Sequence, residues 1–247
     1  MDDDIQSGSG TDDSRPHPLT PPELHDRLRA HLANHYLQLH TTLVSVTLAA
    51  AGYAAAGLTA PPPEASYDRL LLWLFWVGGV LAIVAVYAGT MTGGFTLPSG
   101  IPSIWDLLIP LAIGLTQFMI FGVLTHSIAM FTTEVSVVQA WSFSMALLGL
   151  LAVAAIRRAK YLIRTEDYHD ALNDALTYYK TRLSQDTRGA SLLALISSGG
   201  GAGALFWPAA TRSWVYPFVA IVLVVLGIGL QRHYVTGREL RRRLNSL

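Results

Sequence analysis

Apolar runs of membrane length alternate with short polar intervals along the chain, at about 37–58, 70–91, 104–125, 135–156, 190–209 and 214–231. Each is close to the ~20 residues a helix needs to cross a ~30 Å hydrocarbon core, so six transmembrane helices are expected. The one long polar interval between apolar runs, 157–189, divides them four plus two. Within it Tyr161, Tyr168, Leu172, Ala175, Tyr179 and Leu183 line one side of a helix, and Glu166, His169, Asp170 and Asn173 line another, which predicts an amphipathic helical connector. Ahead of the first span, Thr20-Pro21-Pro22-Glu23 has capping-box spacing, with prolines where a helix needs no amide donor. Leu24, Leu28, Leu32, Tyr36 and Leu39 then recur every three or four residues, predicting a helix that runs into span one.

The expected fold is therefore an all-α polytopic membrane protein with six transmembrane helices in a 4+2 order and cytoplasmic helical extensions. Residues 1–19 read as a disordered acidic tail, 20–36 as a cytoplasmic amphipathic helix and 37–156 as a four-span block. Residues 157–189 read as the helical connector, docked on the N-terminal helix, 190–231 as a two-span hairpin and 232–247 as a basic tail. Pro110 in span three predicts a kink.

Composition supports a bilayer as solvent: 51% of residues are hydrophobic and 14% charged, against roughly 25% charged in soluble domains. The formal net charge of zero conceals a sorting of the basic residues. With both termini in the cytoplasm, 15 of the 17 Lys and Arg lie inside and only Arg69 and Arg212 lie outside. Orientation follows Lys and Arg rather than net charge, so a plasma-membrane protein with both ends cytoplasmic is expected. The first twenty residues hold five aspartates and one arginine before any apolar run, so insertion is expected to begin at the first span. Arg238, Arg241, Arg242 and Arg243 are matched to anionic lipid rather than to nucleic acid.

The chain has no cysteine, which removes disulfides, thiol nucleophiles and thiolate metal ligands. It also lacks the G-x-S-x-G, H-E-x-x-H and P-loop motifs of hydrolases and nucleotide-binding proteins. No Asp, Glu, Lys or Arg stands near the centre of a span, which argues against proton- or ion-coupled transport through charged intramembrane groups. Glu166, His169 and Asp170 have the Glu-x-x-His spacing of di-iron bundles, and His31 and His35 stand at i and i+4 on the N-terminal helix. Converged, these side chains would hold a divalent metal; apart, they are a solvated acidic face and two surface histidines. Over nine residues, Glu166-Asp167-x-x-Asp170-x-x-x-Asp174 resembles the first aspartate-rich motif of intramembrane prenyltransferases. That resemblance implies magnesium bridging to a diphosphate, and it departs from the family in lacking a second such motif: only Asp186 and Glu239 follow.

The remaining candidates are the small and polar positions within spans: Gly52, Gln117, Gln139, Ser197, Gly199 and Gly203, as a packing seam or pore lining. The 197–203 run suits close helix contact, with a broken helix at a substrate site as the competing reading. No cofactor is expected. The leading functional expectation is a non-enzymatic channel or transport subunit, acting as a homo-oligomer or with a partner. An adaptor recruiting a partner through its cytoplasmic helices and a metal-dependent membrane enzyme are the alternatives.

Overall fold

The computed structural model describes residues 21–59, 68–94, 104–127, 134–162 and 170–245, with side chains in the first helix from Gln38 onward. Among these residues the regular structure is helical throughout: α1 (Pro21–Thr59), α2 (Arg69–Gly94), α3 (Ile104–Ser127), α4 (Glu134–Leu162), α5 (Asp170–Phe206) and α6 (Thr211–Asn245). A 3-10 turn, Pro208–Ala210, joins the last two. All six helices are long and apolar enough to cross a membrane, the property of a multi-pass membrane protein.

The helices overrun the apolar segments that define them. α4 continues past Ile156 to Leu162, and α6 continues past Gln231 to Asn245. At 37 residues α5 is roughly 55 Å long by helical rise, against a ~30 Å hydrocarbon core. The connector from Asp170 onward is thus not a separate helix but the first half of the helix that carries span five. No proline interrupts 170–206, and no residue within it has a positive φ, so nothing in the backbone ends the helix at the apolar boundary. The same continuity holds through Ser197–Gly203, where the alternative of a broken helix is not realised. α3 likewise runs through Pro110.

In space the helices close a ring in the order α1, α2, α6, α5, α4, α3, with α2 also touching α3 and α4 across the middle. α2 and α6 run parallel: the Tyr216 hydroxyl donates to Asp68 at one end, and Gly89 lies under the His233 ring at the other. The ring is filled by aromatic side chains. Phe75 stacks on Trp141 at 4.4 Å, Trp141 meets Phe218 edge-on at 6.3 Å, and Phe218 meets Trp214 at 5.8 Å. Such pairs add about 0.5–1.5 kcal/mol beyond area burial. Trp141 Nε1 also donates to the Phe75 carbonyl at 3.2 Å, which joins α4 to α2.

Glycines make this filling sterically feasible. A Cβ on Gly78 would lie 2.9 Å from the Trp141 ring, and one on Gly200 would run into the Phe218 ring. At Gly149 the obstacle is backbone: a Cβ there would stand 2.8 Å from the Ala194 nitrogen and 3.0 Å from the Ala190 carbonyl oxygen. Small residues bring α4 and α5 together here, as expected where lipid supplies no hydrophobic drive for association.

A second, smaller core forms where three helices overrun the apolar segments. Ala175, Leu176, Tyr179 and Leu183 of α5 are buried with Leu240 of α6, beside Ile156 and Ala159 of α4. The connector stripe is buried at Ala175, Tyr179 and Leu183, as its periodicity predicts, against Leu240 of α6 and Ile156 and Ala159 of α4, whereas Tyr161, near the end of α4, is exposed; the side chains of the expected cover, residues 20–36, lie outside the described residues. Tyr168 lies outside the described residues, as does the side chain of Leu172.

Candidate functional site

Three places hold polar or small residues that packing alone does not account for. The first is the buried interior. Thr47, Thr116 and Ser144 are buried, and their hydroxyls donate to carbonyls in the preceding turn. Gln117, Ser142 and Ser197 are buried too, yet Gln117 Nε2, Ser142 Oγ and Ser197 Oγ have no hydrogen-bond partner among the described residues. Gln139 is half-buried.

The second is the glycine surface. Nothing stands within 4 Å of a Cβ built on Gly52 or Gly199, whereas one on Gly203 would meet the Trp214 ring at 3.3 Å. Gly203 therefore contributes to packing inside the chain. Gly52 and Gly199 face outward, and any seam there would lie against another molecule. Close intramolecular approach occurs instead at Gly149, against the backbone of Ala190 and Ala194, at Gly200, against Phe218, and at Gly201, against Phe143, positions that the GxxxG spacing of Gly199 and Gly203 did not point to.

The third is the end of the bundle where α4, α5 and α6 extend past their apolar runs. Asp186 of α5 lies four residues before the apolar stretch that starts at Ala190, and His233 of α6 lies two after Gln231. Asp186 Oδ2 stands 3.7 Å from His233 Nδ1. Burial pushes the Asp186 carboxyl up from the usual carboxylate range, and His233, Arg232 and Arg182 pull against that shift without cancelling it. Arg182 donates to Gln185 Oε1 at 2.9 Å, and its guanidinium lies 5.1 Å from the centre of the Tyr178 ring. One turn-pair further out, Arg243 donates to Asp174 at 2.6 Å and to Glu239 at 3.0 Å, with its guanidinium 4.5 Å from the same ring.

Of the proposed metal ligands, Glu166 and His169 lie outside the described residues, as do the side chains of Asp170, His31 and His35. Among the described residues no group of three or more His, Asp or Glu is placed to hold a metal ion. Asp174, the last aspartate of the acidic motif, is engaged by Arg243. The Asp186–His233 pair was not singled out in the sequence, although a signal for it exists. The tight turn at Trp207–Thr211 fixes the hairpin register, so Gly200 faces Phe218, Asp186 faces His233 and Asp174 faces Arg243, each pair nearly symmetric about the turn.

No family model, curated protein or solved structure matches this chain.

Proposed function

We propose that the chain is a non-enzymatic membrane subunit of a channel or transport assembly, active as a homo-oligomer or with a partner. The observation that supports this reading is the contrast between a filled interior and outward-facing small residues. Trp141, Phe75 and Phe121 are fully buried at the centre of the ring, so a solute path would run between subunits rather than through one. Gly52 on α1 and Gly199 on α5 leave open space outside the bundle, where a second helix can approach closely.

Sidedness in this reading follows the sorting of Lys and Arg, with both termini and the α4–α5–α6 extensions in the cytoplasm of a plasma-membrane protein. Four spans precede the long polar interval and two follow it. Because the extensions are continuous with spans four to six, a displacement at the inner end is carried into the membrane segment by rigid helices. The adaptor alternative, in which Tyr168, Leu172 and Tyr179 would form the contact stripe for a partner, loses weight because Tyr179 is buried against Leu240. Engagement of Asp174 by Arg243 supports the non-enzymatic side of the proposal.

Light scattering on detergent-purified protein, together with solute and ion flux into liposomes that contain it, tests the proposal. A defined oligomer is expected, with flux that Gly52→Leu or Gly199→Leu abolishes by preventing assembly. A monomer in sealed, impermeable liposomes would refute it.

A further inference from the structure

Just beyond the apolar ends of the hairpin, α5 and α6 leave a cleft of about 170 Å³ between them. Its walls carry Arg182, Gln185 and Asp186 from α5 and Gln231, Arg232, Val235 and Thr236 from α6. Taking a guanidinium as +1 and a carboxylate as −1, these seven sum to +1. Arg182 is fixed by Gln185 and by the face of Tyr178, a placement that leaves most of its five N–H donors unspent. Arg232 is exposed at the opposite wall, while Thr236 is almost fully buried there. Asp186 is turned toward His233, and its side chain keeps 10% of its exposure. The location is equally specific. Gln231 closes the apolar run of α6 and Ala190 opens that of α5, so the cleft stands at the level of lipid headgroups.

We propose that this cleft binds the phosphate group of an anionic phosphoester, with Arg182 and Arg232 as the facing cationic donors and Gln185, Gln231 and Thr236 as neutral ones. Two guanidinium groups on opposite walls suit a tetrahedral anion, because each presents a planar fork of donors to phosphate oxygens. Amide and hydroxyl side chains supply further bonds without adding charge. The volume admits a phosphate and part of its ester. An anionic phospholipid at the membrane surface and a soluble phosphoester share this chemistry. The site does not depend on whether the protein forms a channel, and it is separate from the arginines at 238–243.

The test uses full-length protein, purified in detergent and stripped of lipid. It is titrated with glycerol 1-phosphate and with dihexanoyl phosphatidylglycerol, and dissociation constants are read by native mass spectrometry and by the shift of the thermal midpoint. Binding of at least one probe is expected, weakening about tenfold or more in Arg232→Gln, since a charge-assisted bond is lost. Asp186→Asn is expected to tighten it several-fold by removing a negative charge from the cleft wall. Arg241→Gln with Arg242→Gln should leave it unchanged. Equal affinity for both probes identifies a soluble phosphoester as sufficient, and at least tenfold preference for the lipid identifies the headgroup as the source; either supports the site. Binding of neither probe overturns the proposal. So does retained affinity in Arg232→Gln, an Asp186→Asn variant that does not bind more tightly, or an equal loss in the 241/242 variant.

Discussion

Placing the same bulky residue at two glycines of adjoining spans isolates helix packing from every other effect of losing a glycine. At Gly149 a new Cβ would lie 2.8 Å from the Ala194 nitrogen and 3.0 Å from both its Cα and the Ala190 carbonyl oxygen. Ordinary van der Waals contact begins near 3.4 Å, so α4 and α5 must separate by at least 3.4 − 2.8 = 0.6 Å, because backbone atoms have no rotamer to escape into. At Gly122 of α3, which is not one of the glycines assigned to assembly, nothing lies within 4 Å. Overpacking costs about 1–3 kcal/mol, and valine, with two further methyls, falls at the upper end. Helix propensity changes equally at both positions and cancels in the comparison. For a chain of this size ~1 kcal/mol shifts the midpoint by about 2–4 °C, so Gly149→Val should melt ~6–12 °C below Gly122→Val. Thermal unfolding in mild detergent, followed by the fluorescence of the six tryptophans, reads the difference directly. Coincident midpoints would refute the close α4–α5 contact.

Three further outcomes follow from the packing. Trp141→Ala removes a fully buried ring together with its stack on Phe75 and its bond to the Phe75 carbonyl, and should cost about 3–5 kcal/mol in the same melt; Trp141→Phe, which retains a ring against Phe75, should cost clearly less. Leu240→Asp places a charge in the cluster with Tyr179 and Leu183, so amide exchange across 174–183 should accelerate, whereas removal of residues 1–19 should leave it unchanged. Unchanged exchange in Leu240→Asp would mean that α6 does not cover that stripe. Ser197→Ala deletes a buried hydroxyl that lacks a hydrogen-bond partner among the described residues, so stability should change by less than about 0.5 kcal/mol; a clear loss would reveal a bonded hydroxyl.

The six spans were legible because a bilayer imposes a length on any apolar run that crosses it. The ring order was not, because inward and lipid-facing positions of these spans share one chemistry. Leu148 and Ile120 are buried, while Leu150, Leu115 and Leu195 are well exposed on the same or neighbouring helices. A period of 3.6 carries little contrast when both faces are apolar. Glycine roles were hidden for the same reason: Gly149 and Gly199 look alike in sequence and differ only in what stands opposite. Outside the apolar runs contrast returned, and the burial of Ala175, Tyr179 and Leu183 was readable from their spacing. What covers them was not, because propensity alone did not show that α4 and α6 would continue as helices beside α5.

The absence of cysteine makes the transmembrane arrangement directly measurable with single introduced thiols. Ser213 lies at the start of α6, and Thr181 and Arg241 lie on the extensions at the opposite end; all three are exposed. In intact cells a membrane-impermeant maleimide should label Ser213→Cys, and should label Thr181→Cys and Arg241→Cys only after permeabilisation. Labelling of Thr181→Cys or Arg241→Cys in intact cells, or protection of Ser213→Cys there, would contradict a six-span bundle with its α4, α5 and α6 extensions in the cytoplasm.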